Sequence, residues 1–441
     1  MIRRVDFRGM RSQLTRQLVR SEIPRATISI DSVTNDVQEI IKEVVAGNEK
    51  SILELGRRFD SIAPATIRVP EEVIAEAFRS LDVKVKDALT MSIERIRKVH
   101  EAQRRSDSTV QVAPGATITE RWVPVDRVAL YVPGGKAVYP SSVMMNVIPA
   151  QIAQVPSIAI LSPAQVENDG WPDPTILATA ALLGIDEIYA LGGAIAIAAA
   201  ASGVRDETGK IIMEPADMVT GPGNIYVAAA KRALRGVIGI DSEAGPTEIA
   251  IIADAQADSR AVAADLISQA EHDTIAAAVL ITDSENLAND VMRELETRVA
   301  ITKHGDRIRE ALSGVQSAVV IVDSIDDAVT VANHYAAEHL EIQTSDDVKW
   351  AGMIRNAGAV FMGRYTPVSL GDYSAGSNHV LPTGGCACHS SGLSVQSFLR
   401  GLHFVRYEKS ALEEVAESVI TLAKAENLPA HGEAISVRFD D

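Results

Sequence analysis

The sequence has very little cysteine and few aromatic residues. Only Cys386 and Cys388 are cysteines, and with a single residue between them they cannot cross-link distant parts of a fold. Nothing therefore indicates an oxidising compartment. Aromatic residues make up 4% of the 441 residues, whereas alanine is plentiful, and this composition favours an α/β fold with alanine-rich helices.

The chain also lacks an excess of positive charge and a long apolar segment. Its formal net charge is −17, which argues against nucleic acid and against an anionic membrane as partners. The longest apolar run, residues 188–204, is rich in glycine and alanine and slightly short for a bilayer. Residues 1–9 lack the apolar segment of a secretory signal. We therefore expect a cytoplasmic protein that acts on a small molecule.

From residue 128 onward, apolar runs alternate with helical patterns. Predicted strands lie at 128–132, 157–161, 187–191, 248–253, 276–282, 317–322 and 358–362. Alternation of this kind is typical of parallel sheets with helical crossovers. The two successive units predict two related sheet domains with a cleft between them, where small molecules usually bind. Residues before about 105 and after 385 are predicted to be mainly helical.

A glycine-containing loop follows the first of these units. Residues 220–224, Thr-Gly-Pro-Gly-Asn, open a predicted helix over 225–234. Loop-to-helix junctions favour phosphate groups because the first amides of the helix have no partner and the helix dipole is positive there. The third glycine of the dinucleotide fingerprint is missing, so the loop alone supports an NAD site only slightly.

Gln269 and His272 form a candidate pair of metal ligands. They lie three residues apart on a predicted helix, which places an amide oxygen and an imidazole on one face. Two such residues are more often surface or core side chains, because a zinc site requires three or four ligands. The rest of the chain must supply the others.

Several further motifs occur in a fixed order between Tyr131 and His431. They are Gln269-Ala-Glu-His272, Ala337-Glu338-His339-Leu-Glu-Ile342, the segment 371–383 with Asp372 and His379, the segment 426–431, and Ile240-Asp241-Ser-Glu-Ala-Gly-Pro-Thr247-Glu248. Together they resemble the histidinol dehydrogenase family, whose members catalyse the last step of histidine biosynthesis.

The resemblance implies a homodimer with shared active sites, in which each subunit has two incomplete Rossmann-like domains. The implied parts are an N-terminal helical arm (1–30), a first domain with the metal and acid/base residues (31–127 and 246–385), a second domain with the NAD-binding loops (128–245), and a C-terminal helical tail lent to the partner subunit (386–441).

The resemblance also implies an activity, namely the zinc-dependent oxidation of L-histidinol to L-histidine through L-histidinaldehyde with two NAD in succession. One zinc ion per subunit would be held by Gln269, His272, Asp372 and, from the other subunit, His431. This set offers nitrogen and oxygen donors and leaves positions for the substrate amine and imidazole.

Glu338 and His339 correspond to the acid/base pair of the family. His339 is suited to accept the proton of the alcohol, because an imidazole titrates near neutrality. Glu338 is suited to activate the water that adds to the aldehyde. Substrate contacts are implied for His339, for the four metal ligands, and for Thr247, His379 and Glu426.

NAD contacts are implied for Tyr131 and Asn224. A third position, usually glutamine in the family, is Ile195 here. We expect NAD binding weaker by about 1 kcal/mol, since a neutral hydrogen bond contributes that order of free energy.

Three alternative functions remain open on the residues alone. The first is a related zinc- and NAD-dependent dehydrogenase for another small alcohol, the second is a zinc hydrolase with Glu338 as base, and the third is an inactive binding protein. Glu338 and His339 could also be structural at a helix end. A metal site at Cys386-Ala-Cys388-His389 is rejected, because no second pair of ligands accompanies it. The remaining histidines, His100, His304, His334 and His403, are assigned to the surface or to packing.

Overall fold

The computed structural model describes residues 2–26, 30–134, 138–243 and 245–440. Two sheets consist entirely of parallel strands, one with six strands and one with five. The described chain also contains a three-stranded and a two-stranded antiparallel sheet and a helical C-terminal segment. The predicted α/β class with two parallel sheets is confirmed.

The strands and helices follow in chain order. The strands are β1 (Arg3–Asp6), β2 (Ser108–Ala113), β3 (Ala116–Pro124), β4 (Arg127–Tyr131), β5 (Ser157–Ser162), β6 (Ile188–Ala190), β7 (Val204–Arg205), β8 (Ile211–Met213), β9 (Met218–Thr220), β10 (Gly239–Ile240), β11 (Glu248–Ala253), β12 (Ala277–Thr282), β13 (Ala318–Ile321), β14 (His339–Gln343), β15 (Ala359–Met362) and β16 (Leu399–Tyr407). The helices are α1 (Arg16–Glu22), α2 (Thr34–Ala46), α3 (Glu49–Phe59), α4 (Glu71–Ser80), α5 (Val83–Glu101), α6 (Pro140–Ala153), α7 (Pro174–Leu182), α8 (Gly193–Ser202), α9 (Ile225–Leu234), α10 (Ser259–Ala270), α11 (Glu285–Val299), α12 (Gly305–Ser313), α13 (Ile325–Tyr335), α14 (Asp347–Ala351), α15 (Val368–Tyr373), α16 (Lys409–Ala425) and α17 (Pro429–Ser436).

The six-stranded sheet has the order β1-β13-β12-β11-β14-β15. Its central strand β11 is buried along its whole length, because helices cover both faces. Ile249 and Ile251 pack with α10, α11 and α12, whereas Ala250 and Ile252 pack with α1 and α13. Alternate side chains of one strand therefore belong to two separate cores.

The five-stranded sheet has the order β10-β9-β4-β5-β6. Val128 and Leu130 of β4 face helices α4 to α7, whereas Ala129 and Tyr131 face α2, α3, α8 and α9. All the helices from α2 to α5 thus bury their apolar sides on this sheet.

That packing corrects the predicted domain boundaries. Residues 31–127 were expected to join residues 246–385, but helices α2 to α5 pack on the sheet formed by residues 127–240. The predicted helical arm, 1–30, begins with a strand that lies at the edge of the six-stranded sheet, and its helix α1 packs on α13. An amphipathic pattern shows that a helix is packed, but not which sheet it covers.

The C-terminal segment also differs from its prediction. Residues 386–441 were expected to be helical, but 399–407 form β16, which pairs antiparallel with β3 along nine residues. Its partner lies far upstream in the sequence, so no local turn signal announces the pairing. The helices that follow bury little, since Ala411, Ala423 and Gly432 are the buried residues of α16 and α17.

Within the described part of the chain, no helix combines the length and the apolar character that a membrane crossing requires.

Candidate active site

The predicted acid/base residues lie at the amino ends of two neighbouring strands. Thr247 immediately precedes β11, and Glu338 immediately precedes β14. Because β11 and β14 are parallel and Ile249 pairs with His339, Thr247 and Glu338 meet at the same edge of the sheet. Helix α10 runs back to that edge and ends at Ala270, which brings Gln269 to the same place.

A chain of hydrogen bonds connects these residues. The Thr247 hydroxyl donates to Glu338 Oε2 at 2.6 Å, and Gln269 Nε2 donates to the Thr247 hydroxyl at 2.5 Å. The Glu248 backbone N–H also donates to Glu338 Oε2, at 3.0 Å. His339 Nδ1 donates to the Glu248 carbonyl at 3.2 Å and lies 3.6 Å from Glu338 Oε2. The structure therefore brings Thr247, Gln269, Glu338 and His339 into direct contact.

The Glu338 carboxyl group experiences opposing influences. Burial raises its pKa, because the charged form loses solvation. The neighbouring His339, the Thr247 hydroxyl and the Glu248 amide lower the Glu338 pKa, whereas the nearby Glu248 carboxylate adds to the rise. A carboxyl group in this setting is a stronger base than an exposed glutamate and still has donors that accommodate its charge.

His379 joins a second group of predicted residues. Its Nδ1 donates to the backbone carbonyl of Asp372 at 3.1 Å, and its Nε2 lies 3.4 Å from the hydroxyl of Ser142. Burial lowers the pKa of His379, and Asp372 raises it, while His339 and His272 lower it further. Asp372, His272 and His339 are therefore all close enough to His379 to act on its charge.

Gln269 and His272 differ from their predicted arrangement in one respect. Helix α10 ends at Ala270, so His272 lies in the turn beyond the helix and its N–H donates to the Gln269 carbonyl at 3.2 Å. The predicted helix therefore ends before His272. The hydrogen bond between the two residues keeps them one turn apart, so their shared face stays a prediction.

The predicted zinc ligands have one feature that suits a metal. Gln269 Oε1 is buried and has no hydrogen-bond partner, which is unusual for a buried polar atom. A cation would satisfy it, and His272 and Asp372 add nitrogen and oxygen donors of the kind that zinc accepts. Across the described residues, no three His, Cys, Asp or Glu side chains are grouped to hold a metal. The predicted zinc ligands would not form such a group, because Gln269 contributes an amide oxygen and His431 is expected from the other subunit.

Glu426 and His431 lie apart from this cluster in a single chain. Glu426 directly follows α16 and His431 lies in α17, and both side chains are exposed. Helix α17 packs against α16. The structure therefore does not bring these two predicted residues to the site of their own subunit.

The three predicted NAD positions lie at the carboxyl ends of the five-stranded sheet. Tyr131 ends β4, and its hydroxyl accepts a hydrogen bond from the Gly193 N–H at 3.2 Å. Tyr131 and Ile195 are each 4% exposed, in one core cluster, and burial raises the pKa of Tyr131 to about 12. Asn224 is exposed and caps α9, since its side-chain oxygen accepts from the N–H groups of Tyr226 and Val227.

The loop over residues 220–224 has a shape that only glycine allows. Gly221 has φ +110°, and a Cβ there would lie 2.0 Å from the Tyr131 carbonyl oxygen. The start of α9 and the glycine loop suit the phosphates of a dinucleotide. Tyr131 and Ile195 are buried in the core beside this loop. The residues present thus fit NAD in part.

A buried ion pair that the sequence analysis missed holds this loop. Lys231 Nζ donates to the Gly221 carbonyl at 2.6 Å and to Asp241 Oδ1 at 2.5 Å, and Asp241 Oδ2 accepts from the Gly221 N–H at 2.8 Å. Lys231 is only 1% exposed. In the sequence it is an ordinary lysine near the end of a helix, so only its tertiary partner reveals its role.

A pair of carboxyl groups supports the helix that carries Asp372. Glu341 is fully buried in β14, and its Oε1 accepts from the N–H of Val368, the first residue of α15, at 2.8 Å. Burial and the neighbouring Asp265 of α10 raise the Glu341 pKa, and burial raises that of Asp265 to about 6. Protonation of one of the two carboxyl groups removes their mutual repulsion. The two groups belong to α10 and β14, and Glu341 also binds α15, so they adjoin the elements that hold Gln269, His339 and Asp372.

Comparison with known proteins relates the whole chain to one family. The family model described as histidinol dehydrogenase matches residues 23–439. Histidinol dehydrogenase of Mycolicibacterium smegmatis is 58% identical over 437 residues, which cover 99% of this chain and 98% of that protein. The enzyme of Corynebacterium glutamicum is 53% identical over 441 residues, covering 100% and 98%. The crystal structure of histidinol dehydrogenase from Elizabethkingia anophelis superposes with a TM-score of 0.92 at 31% identity, covering 99% and 98%.

The Lys231–Asp241 pair leads to a stability prediction. Lys231→Met leaves the Asp241 carboxylate buried without its cation, so we expect the free energy of unfolding in urea to fall by about 3–5 kcal/mol. Adding Asp241→Asn removes the unpaired charge and recovers part of the loss. Lys50→Met, at an exposed pair with Glu207, is the control and is expected to cost less than about 1 kcal/mol. Equal losses in Lys231→Met and Lys50→Met would contradict the assigned role.

Proposed function

The chain belongs to the histidinol dehydrogenase family, and on this basis we propose that it oxidises L-histidinol to L-histidine through L-histidinaldehyde, with two NAD used in succession. Its family makes it an oxidoreductase of histidine biosynthesis. The observation that carries the detailed proposal is the buried contact of Glu338 with Thr247 and Glu248, beside His339.

Zinc is proposed as a bound cofactor, one ion per subunit. Gln269, His272 and Asp372 would hold it, with His431 supplied by the other subunit. When bound, zinc would orient the amine and imidazole of the substrate by coordination. The buried Gln269 Oε1 supports this assignment. It has no hydrogen-bond partner among the described residues, since Gln269 binds Thr247 through Nε2.

His339 is proposed as the base for the first oxidation. The Glu248 carbonyl can only accept a hydrogen bond, so Nδ1 carries the ring hydrogen and Nε2 keeps the lone pair. Nε2 then takes the proton of the substrate hydroxyl as the carbon releases its hydride to NAD, which gives the aldehyde.

Glu338 is proposed as the base for the second oxidation. Its carboxylate takes a proton from a water molecule as that water adds to the aldehyde carbon, and the resulting hydrate releases a second hydride to NAD. The burial that raises the Glu338 pKa makes it a better acceptor for this proton, while Thr247 and Glu248 keep the ionised form accessible. Water supplies the second oxygen of the carboxylate product.

A homodimer with exchanged tails is proposed from the exposure of the C-terminal helices. Leu422, Leu428 and Val437 are 62%, 41% and 58% exposed, although residues of this kind normally pack. Glu426 and His431 lie between them. A tail whose apolar side chains remain exposed on its own subunit is suited to pack against another subunit.

A cytoplasmic location is also proposed, and the two free cysteines agree with it.

The proposed activity is tested by counting NADH. Zinc-loaded protein with limiting L-histidinol and excess NAD is expected to give about two NADH per histidinol, because each of the two oxidations passes one hydride to a separate NAD molecule. Absorbance at the nicotinamide band measures the yield. A chelator should abolish the reaction and added zinc should restore it. A yield of one, or turnover only with another small alcohol, would contradict the proposal.

Shared active sites are tested by subunit mixing. Glu338→Ala and His431→Ala proteins are each expected to be inactive. After unfolding and joint refolding, a heterodimer has one site with both residues intact, so about a quarter of wild-type activity is expected from random pairing. Each variant refolded alone is the control. A mixture as inactive as its components would overturn tail exchange.

A further inference from the structure

The side chain of Arg25 connects two segments that adjoin the acid/base pair. Its Nε donates to Glu248 Oε2 at 2.7 Å, and its Nη2 lies 3.3 Å from Glu248 Oε1. The same Nη2 donates to the carbonyl oxygens of Tyr335 and, at 3.3 Å, of Ala336. The guanidinium carbon lies 4.2 Å from the centre of the Tyr335 ring.

Both segments are connected to the proposed bases, one by hydrogen bonds and the other through the backbone. Glu248 donates its backbone N–H to Glu338 and accepts a hydrogen bond from His339 through its carbonyl. Ala336 lies two residues before Glu338, at the end of α13. Arg25 thus fixes Glu248 relative to the chain that leads into Glu338 and His339.

The backbone before Glu338 needs such support. Ala336 has φ 56° and ψ 61°, a left-handed conformation that is unfavourable for a residue with a Cβ. The last carbonyl groups of α13 have no partner within the helix, and a cation at this end is favoured by the helix dipole. Arg25 supplies donors and charge where the chain turns sharply toward the site.

An arginine suits this position better than a lysine. The planar guanidinium donates along several fixed directions at once, so it can bind the Glu248 carboxylate and two backbone carbonyls together. The Glu248 side chain is 3% exposed and the Arg25 side chain 16%, which keeps competing water away from the pair. A lysine ammonium has a single donor centre and cannot span both segments in the same way.

We propose that Arg25 is a positioning residue for the Glu338–His339 pair, acting through Glu248 and the end of α13 without touching the substrate. This assignment rests on the proposed function of the pair. The residue comes from the N-terminal segment, far in sequence from both bases, and it has no part in the zinc or NAD sites described above.

The test compares Arg25→Lys with the wild-type protein under steady-state conditions. We expect kcat for histidinol to fall about 10- to 100-fold while both KM values stay within about two-fold, because misplaced bases slow the chemistry and leave binding intact. Arg260→Lys, at an exposed pair with Asp258, is the matched control and should keep the wild-type kcat. A wild-type kcat in Arg25→Lys, or a loss confined to KM, would overturn the assignment.

A double-mutant comparison separates positioning from a general loss of structure. Oxidation of L-histidinaldehyde should fall about 10- to 100-fold in Arg25→Lys, but by less than about three-fold when the change is made in Glu338→Gln, since the residue to be positioned is already lost. Equal losses in both backgrounds would overturn the assignment.

A second variant covers the case in which Arg25→Lys does not fold. Glu248→Gln keeps the peptide groups that contact Glu338 and His339 but weakens the interaction with Arg25, so a smaller fall in kcat with unchanged KM is expected. A wild-type kcat there would overturn the assignment. A wild-type protein that gives no NADH from histidinol would instead overturn the proposed function, and the role of Arg25 with it.

Discussion

A buried carboxylate imposes the main constraint on this site. Glu338 is 7% exposed, and a carboxylate removed from water is tolerated only where donors replace the lost solvent. Those donors are Thr247, just before β11, and Glu248, its first residue, and their positions follow from the parallel register of β11 and β14. Gln269, at the end of α10, completes the network through Thr247. The hydrogen bonds to Glu338 therefore depend on the register of the six-stranded sheet at this edge.

The proposed bases and the proposed cofactor residues lie at opposite ends of the strands in their respective sheets. The acid/base residues lie at the amino ends of strands in the six-stranded sheet, whereas the glycine loop and Tyr131 lie at the carboxyl ends of strands in the other. Ligands of open α/β sheets usually bind at carboxyl ends, so the proposed cofactor position follows the rule and the bases do not. The approach of Ser142, near the start of α6, to His379 connects the two sides at 3.4 Å.

Much of the fold could be predicted from the sequence, because the strands of both sheets are buried apolar runs with helices between them. Helix α9 begins and ends where its pattern predicts, at Ile225 and Leu234. The sheet covered by helices α2 to α5 and the pairing of β16 with β3 were missed, since both depend on distant partners. The network around Glu338 was reached through family motifs, whereas Arg25 and Lys231 were invisible. Nothing in the residues around an arginine or a lysine shows which buried carbonyl it will meet.

The central claim is that His339 is the base for the first oxidation and Glu338 the base for the second. Single-turnover kinetics of Glu338→Gln test it most directly. With enzyme in excess over L-histidinol, the first NADH should form within about ten-fold of the wild-type rate, because His339 still accepts the alcohol proton. The second NADH should form about 10²- to 10⁴-fold more slowly, since the base for water is gone. Equal slowing of both phases would contradict the account and would mean that one residue serves both oxidations.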